Sequence, residues 1–288
     1  MGIGESTLEG LAVKANVDVR TVEGFGDEWT RLPQDQLTGA DLETAFDEYF
    51  GIFPWERLPA EAEGADYGCG SGRWAQLVAP RVGSLLALDA SADALATART
   101  NLAEHDNVDF FCGSVEQAPV ADGSLDFAYS LGVLHHVPDT EGAIQSIARK
   151  LKPGAPFLIY LYYAFDNRPL WYRALWRLSD LPRRAISRMP YSARSAASDA
   201  IAAGLYWPLA RSARLLERAG RLPGAWPLAA YRNRPFYMMR TDALDRFGTR
   251  LEKRFTRAEI EGMLSRAGFG EVRFSDQIPF WLACAVRR

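Results

Sequence analysis

Between residues 60 and 163, short apolar runs alternate with stretches of helical periodicity. The runs predict strands at 64–68, 84–89, 108–112, 125–131 and 156–163. Apolar positions three and four apart predict helices at 72–80, 92–105 and 140–151. Such alternation demands a parallel sheet with right-handed crossovers. Near the C-terminus, Thr256-Arg257-Ala258-Glu259 reads as a capping box. The helix it opens runs to about Ala267 and closes at Gly268. Segments 271–276 and 280–286 then read as a pair of strands around Pro279. Residues 1–60 carry a helical pattern around 41–50, then the turn-rich Gly51-Ile52-Phe53-Pro54-Trp55. The earlier Phe25-Gly26-Asp27-Glu28-Trp29 either forms a flap over a site or packs into the core, and packing is the commoner fate. Residues 164–250 interrupt the α/β pattern. They are mostly helical in periodicity, with candidates at 169–181, 195–206 and 208–218, punctuated by Pro182, Pro190, Pro223 and Pro227. Four parts result: a helical segment or flap at 1–60, an α/β core at 61–163, a helical insertion at 164–250, and a closing helix with two strands at 251–288.

Charge sharpens that division. The net charge of −3 conceals −15 over residues 1–163, +10 over 164–250 and +2 over 251–288. The insertion holds 16 arginines, no lysine and four of the eight tryptophans, namely Trp171, Trp176, Trp207 and Trp226. Eight of eleven tyrosines fall within 160–250. The three cysteines, Cys69, Cys112 and Cys284, are odd in number and far apart, which predicts a reducing cytoplasm rather than a disulfide framework. None has zinc-ligand spacing, so no metal is expected. Met1-Gly2-Ile3-Gly4-Glu5-Ser6 lacks the regions of a signal peptide. The longest apolar run, 200–210, is about half a membrane span, so no transmembrane segment is expected.

The candidate chemistry begins at Asp66-Tyr67-Gly68-Cys69-Gly70-Ser71-Gly72, with Asp89 ending the next apolar run. Three alternating glycines let a ligand lie on the backbone. An acid after the second strand is placed to accept ribose hydroxyl protons. Together they predict an adenosine-containing cofactor. The dinucleotide fingerprint needs a third glycine where Arg73 stands, and a phosphate loop needs Gly-Lys-Ser/Thr, which is absent.

This stretch resembles motif I of the class I S-adenosylmethionine (SAM) methyltransferases, of the type 11 and type 25 kind. The resemblance continues through Leu85-Leu86-Ala87-Leu88-Asp89-Ala90-Ser91, Gly113-Ser114-Val115-Glu116-Gln117-Ala118-Pro119, 122–130, Leu134-His135-His136-Val137 and Leu151-Lys152-Pro153-Gly154. It covers about 60–163 and, more loosely, 251–288. It implies an α/β fold with a Rossmann-like, seven-stranded, mostly parallel sheet ending in an antiparallel hairpin, here with a mostly α-helical inserted subdomain. It also implies SAM as cofactor and S-adenosylhomocysteine as product. By this resemblance Asp66 orders the first loop, and Gly68, Cys69, Gly70 and Gly72 receive the methionine half. Asp89 and Ala90 bind the ribose, Ser114 and Val115 flank the adenine, and Ser130 and Leu131 face the methyl sulfonium. Ser114 departs from the family's usual aspartate and would bind the adenine amino group more weakly. Ubiquinone-type O-methyltransferases have acidic metal ligands near the fourth strand. Gly132 and His135 stand there instead, which puts a divalent-metal mechanism in doubt.

SAM carries an activated methyl group, so alignment and water exclusion are the protein's main tasks. His135, with Tyr162 at the end of the fifth strand, is the candidate catalytic pair; His135 rather than His136 is taken as the base. The alternative is that both histidines pack and cap the following helix, and their recurrence across the family's differing chemistries favours it. Tyr163, Arg168, Trp171, Tyr237 and Arg240 are the candidate substrate residues. Arginine suits an anionic acceptor with an apolar or ring portion, whereas a tyrosine cage would suit a cationic amine. Other readings of the arginines are docking onto the acidic core, its own or that of a second subunit in a homodimer, and a solvated face. Arg240, Asp242, Asp245 and Arg246 read as acceptor ligands or as an ion-pair latch, with the latch preferred. The resulting expectation is a cytoplasmic methyltransferase acting on a small-molecule acceptor, with O-methylation of an anionic metabolite ahead of N- or C-methylation. Two rivals stand. One is a membrane-surface or partner-binding module that keeps SAM as a structural or regulatory ligand, with segments 167–178 and 208–218 on anionic lipid. The other is an RNA methyltransferase, disfavoured by the pI of 5.8 and the lack of an RNA-binding module.

Overall fold

The computed structural model describes residues 16–31 and 39–288. It divides into two compact units: one takes the chain up to Ala164 together with Leu251–Arg288, and the other is Phe165–Arg250.

The first unit is built on seven strands: β1 (Glu63–Tyr67), β2 (Ser84–Asp89), β3 (Val108–Cys112), β4 (Phe127–Leu131), β5 (Pro156–Tyr160), β6 (Phe269–Phe274) and β7 (Leu282–Arg287). Their order is β3-β2-β1-β4-β5-β7-β6. The first five are parallel, and β7 runs antiparallel to both β5 and β6. Sheet order reverses between β1 and β4, so the crevice beyond their carboxyl ends is where an open α/β sheet binds its ligand. β4 is buried at every position, as a central strand covered on both faces must be. Gly64 on β1 is required by packing, since a Cβ there would lie 2.1 Å from the Phe127 ring.

Helices α1 (Val19–Arg31), α2 (Gly39–Phe50), α3 (Ala75–Val78), α4 (Ala92–Asn101) and α5 (Thr140–Lys150) precede the second unit. The sequence pattern predicts α2, α4 and α5 but not α1. Asp18 starts α1 by accepting from the Thr21 N–H at 2.8 Å, a standard N-terminal cap. Gly26 then lets α1 approach α4 closely, since a Cβ would come within 2.7 Å of Ser91 Oγ. Phe46, Phe50 and Phe53 are buried in one core cluster with Trp74 and Tyr129. Phe46, Phe50 and Phe53 are therefore core. The 72–80 helix shrinks to one α-helical turn followed by a 3₁₀ turn at Ala79–Arg81, as Pro80 would suggest.

The second unit holds α6 (Leu170–Ile186), α7 (Tyr191–Ile201), α8 (Trp207–Arg218) and α9 (Phe236–Gly248), with a π turn at Ala202–Tyr206. α6 continues through Pro182 instead of stopping before it. α9 was not predicted. It buries Met239, Thr241, Ala243, Leu244, Arg246, Phe247 and Gly248, so no clean amphipathic stripe marks it. The unit's core is small: Ile186, Ala202, Tyr206, Ala210, Met239, Ala243 and Phe247. Arginines do much of the remaining fastening. At least eight of the sixteen donate to carbonyl, carboxylate or hydroxyl oxygens of this same unit. After it, α10 (Arg257–Arg266) opens on the predicted capping box of Thr256 and Glu259.

Candidate functional site

An open pocket lies beyond the carboxyl ends of β1, β2, β3 and β4. All of its lining residues fall between Asn16 and Val137. The turn after β1 curls over β2, because the Gly68 and Cys69 N–H groups both donate to the Leu88 carbonyl at 2.7 and 2.9 Å. Asp89 at the end of β2 then fixes the turn. One carboxylate oxygen accepts from the Gly70 N–H at 2.9 Å and the other from the Ser91 N–H at 2.8 Å. Burial pushes the Asp89 carboxyl up, and the N–H groups of Ser91, Gly70 and Ala90 pull it back.

The glycines do different work from that expected of all three. Gly68, Gly70 and Gly72 have φ of +88°, +53° and +77°, the left-handed region that favours glycine. At Gly68 a Cβ would meet Val133 Cγ2 at 2.4 Å, and at Gly72 it would meet Leu102 Cδ1 at 2.8 Å. Protein, not ligand, fills those two spaces. The bare backbone facing open space is Gly132, after β4: its φ is +80°, a Cβ there would meet nothing within 4 Å, and it lines the pocket.

Of the predicted cofactor residues, Gly68, Cys69, Gly70, Asp89, Ala90, Ser114, Val115 and Leu131 line the pocket. Asp66, Gly72 and Ser130 do not. Ser130 is buried, and its hydroxyl donates to the Tyr67 carbonyl at 2.7 Å, so it ties β4 to β1. Asp66 is buried beneath the turn. Burial pushes its carboxyl up to about 8, the Tyr129 hydroxyl pulls it down, and Asp89 adds to the rise. A carboxyl whose folded pKa is raised holds a proton that the unfolded chain has lost. Its contribution to stability is full below about 4 and disappears as pH rises through about 8. Asp66→Asn should therefore flatten the pH dependence of Tm between pH 5 and 8, a span over which the wild type loses roughly 5 °C. An equal slope in both proteins would refute this protonation.

The paired histidines separate. His136, not His135, lies on the pocket wall. His135 is fully buried behind it and stacks on Tyr162 with ring centroids 3.8 Å apart. Burial, together with His136 and Arg254, holds the His135 imidazole well below the usual range. Tyr162 is outside the lining, between His135 and the Arg254 guanidinium 5.0 Å from its ring centroid. The structure thus places the predicted catalytic pair in packing contact outside the pocket lining. His136 Nδ1 lies 2.6 Å from the Leu251 carbonyl oxygen, which can only accept, so Nδ1 carries the proton. In the neutral ring Nε2 then keeps the lone pair.

The predicted substrate residues are elsewhere than in this lining. Tyr163 packs on Phe280 and Trp281 with centroids 5.6 and 6.4 Å away. Arg168 donates to the Gly224 carbonyl at 2.8 Å, and Trp171 is exposed on α6. Arg240 holds Asp199 through two bonds of 2.6 and 3.0 Å. That is a latch, but to a different aspartate from those beside it in sequence; Asp242 instead accepts from the Tyr231 hydroxyl at 2.6 Å. Tyr237 lies half-buried on α9.

Sequence reasoning missed one wall. Asn16, Val17, Asp18, Thr21, Val22 and Phe25 line the pocket from the start of α1, with Arg73, Trp74, Val133 and Val137. The Asn16 side chain anchors this wall. Its amide donates to Glu116 Oε1 at 2.7 Å and to the Asp139 carbonyl at 2.8 Å, and its oxygen accepts from the Asp139 N–H at 2.7 Å. The Phe25 ring lies 4.9 Å from that of His136. A cap signal at Asp18 was available, but its short polar surroundings gave no apolar run. Of the aromatics read as flap or core, Phe25 does line the site, while the Trp29 side chain is outside the described residues.

The donor set fits SAM. The pocket lining offers a carboxylate at Asp89, a polar and an apolar side chain at Ser114 and Val115, and bare backbone at Gly132. Residues 65–159 match the family model described as "Methyltransferase domain". The chain is 32% identical over 110 residues to an uncharacterized methyltransferase, YcgJ, of Bacillus subtilis, covering 38% of this chain and 44% of that one. It is 31% identical over 105 residues to the ubiquinone biosynthesis O-methyltransferase of Pectobacterium atrosepticum, covering 36% and 42%. The chain thus spans less than half the length of these relatives. Among solved structures, a chain from the complex between the Haloferax volcanii Trm112 methyltransferase activator and its methyltransferase partner superposes with a TM-score of 0.53. It has 16% identity and covers 91% of this chain and 96% of that one, a likeness of fold.

Proposed function

Because residues 65–159 form a class I SAM-dependent methyltransferase domain, we propose that the protein methylates a hydroxyl of a small-molecule acceptor. Bound in the pocket, SAM supplies a methyl group already activated as a sulfonium. Asp89 and the turn at 68–70 would hold its nucleoside and methionine parts, with Ser114 and Val115 beside the base. The protein's remaining task is to present a deprotonated nucleophile in line and to keep water away.

The observation that carries the O-methylation reading is the tautomer of His136. Its Nδ1–H is committed to the Leu251 carbonyl, and Nε2 is the remaining nitrogen of a buried ring that lines the pocket. That nitrogen takes the proton of the acceptor hydroxyl as the oxygen attacks. Phe25 and Val137 line the same wall, and the Phe25 ring lies against His136. Arg73 lines the pocket, where its guanidinium can meet an anionic substituent of the acceptor. The unit with the pocket carries −15 before the second unit and +2 after it. A surface of that sign repels a polyanion, which weighs against RNA.

The test is transfer of isotopically labelled methyl groups from SAM into a cell extract separated into small molecules, RNA and protein. Label is expected in small molecules, on oxygen. Label confined to RNA overturns the acceptor class, and absence of SAM binding by calorimetry overturns the cofactor.

A further inference from the structure

Helix α6 in the second unit carries its apolar stripe on the outside. Leu170, Trp171, Leu175, Leu178 and Leu181 are 79%, 53%, 50%, 64% and 65% exposed. At 100° per residue these five fall within one sector of the helix, and so do Ala174, Pro182 and Ala185, which are also exposed. No polar residue interrupts the sector. Arg173, Arg177 and Arg184 form a row along one edge of it. The opposite face is the one that packs: Trp176 lies under the Arg246 guanidinium, and buried Arg183 bonds Asp180 and the Thr249 carbonyl. The inward face mixes apolar Ile186 and Trp176 with Arg183, so the helix is apolar on both sides. Among the described residues the outer stripe has no covering partner from its own chain's core, unlike a normal surface helix. None of the five belongs to the unit's apolar core.

We propose that this stripe docks the protein on an anionic lipid bilayer, with α6 lying flat in the interface. The stripe from Leu170 to Leu181 is about 16 Å long, enough to lie along the headgroup boundary and too short to span it. Leucine and tryptophan would enter the acyl edge, while the arginine row stays level with lipid phosphates. Charge favours this occupant over others. The unit carries 16 arginines, no lysine and 6 acids, a net +10 of the sign that an anionic sheet complements. A second copy would set this unit's positive charge against its own sign if the two stripes met face to face. The proposal is independent of the methyl acceptor.

Vesicle flotation of the full chain tests it, with phosphatidylcholine vesicles containing or lacking phosphatidylserine. Binding is expected only with phosphatidylserine and is expected to weaken on adding salt. Leu175→Glu with Leu178→Glu should lower the bound fraction about tenfold or more. Because both leucines are exposed, the melting temperature and S-adenosylhomocysteine affinity should stay unchanged. Arg173→Gln with Arg177→Gln should weaken binding to anionic vesicles and leave any residual binding to neutral ones as it was. No binding at low salt, or binding that the leucine variants leave intact, overturns the proposal. So does a dimer in solution, seen by light scattering, that the leucine variants dissociate while vesicle binding is absent.

Discussion

Asp89→Ala is expected to raise the Kd for S-adenosylhomocysteine on the order of 100-fold or more, with the chain still folded. The size follows from two roles in one carboxylate. Toward the ligand its proposed role is acceptor for ribose hydroxyls, and hydrogen bonds to a charged group are worth about 1.5–3 kcal/mol each. Toward the protein it holds the Gly70 and Ser91 N–H groups at 2.9 and 2.8 Å. Losing both bonds frees the turn over β2, so the cradle loses its shape together with its charge. Gly68 and Cys69 remain tied to the Leu88 carbonyl, and Ser91 still caps α4 through Ala94. The sheet should therefore survive. Calorimetry against S-adenosylhomocysteine measures the first effect and a thermal melt the second. Asp89→Asn, which retains one carbonyl oxygen, should fall between wild type and Ala. A large drop in Tm with unchanged affinity would show that Asp89 serves the fold alone.

The α/β core was legible because each strand is short, apolar and bounded by turn residues. β2 and β3 fall on the predicted bounds, and β1, β4 and β5 differ only at their ends. A buried parallel sheet leaves that signature whatever its ligand. The glycine turn and Asp89 were legible for a related reason: left-handed backbone and a carboxylate after β2 constrain residue type locally. What lies opposite them was not. The wall at the start of α1 meets the pocket through long-range bonds, such as those of Asn16 to Glu116 and Asp139. No local pattern encodes such contacts. The two histidines show the limit most sharply. They are neighbours on a 3₁₀ turn, Leu134–His136, and one residue of rotation sends one ring into the core and the other to the pocket. Composition left the arginines open in a different way. Sixteen scattered over residues 164–250 suggested a binding surface, docking or a solvated face, and at least eight donate to oxygens of the second unit itself. In a unit with so small an apolar core, those bonds take over part of the fastening.

His136→Ala should lower kcat by about 10²-fold or more, the usual range for loss of a positioned base, and leave the S-adenosylhomocysteine Kd within about twofold. The split matters because His136 also has a structural partner. Its Nδ1–H bond joins the turn after β4 to Leu251, whose own N–H lies 3.4 Å from Thr21 Oγ1 on α1. A variant that only loosened this junction would disturb the α1 wall. KM for the acceptor would then rise while kcat held. A variant that lost a base would do the reverse. Free imidazole separates the two cases further. The space vacated by the ring opens on the pocket, so added imidazole can supply the missing lone pair and restore part of the rate, with no effect on a loosened wall. The same treatment of His135→Ala should restore nothing. Its ring is sealed behind the wall against Tyr162, so its removal should appear as a lower Tm from the cavity left in the core. Rescue of His135→Ala and not of His136→Ala would return the proton-accepting role to the buried histidine and remove the basis for reading this pocket as an O-methylation site.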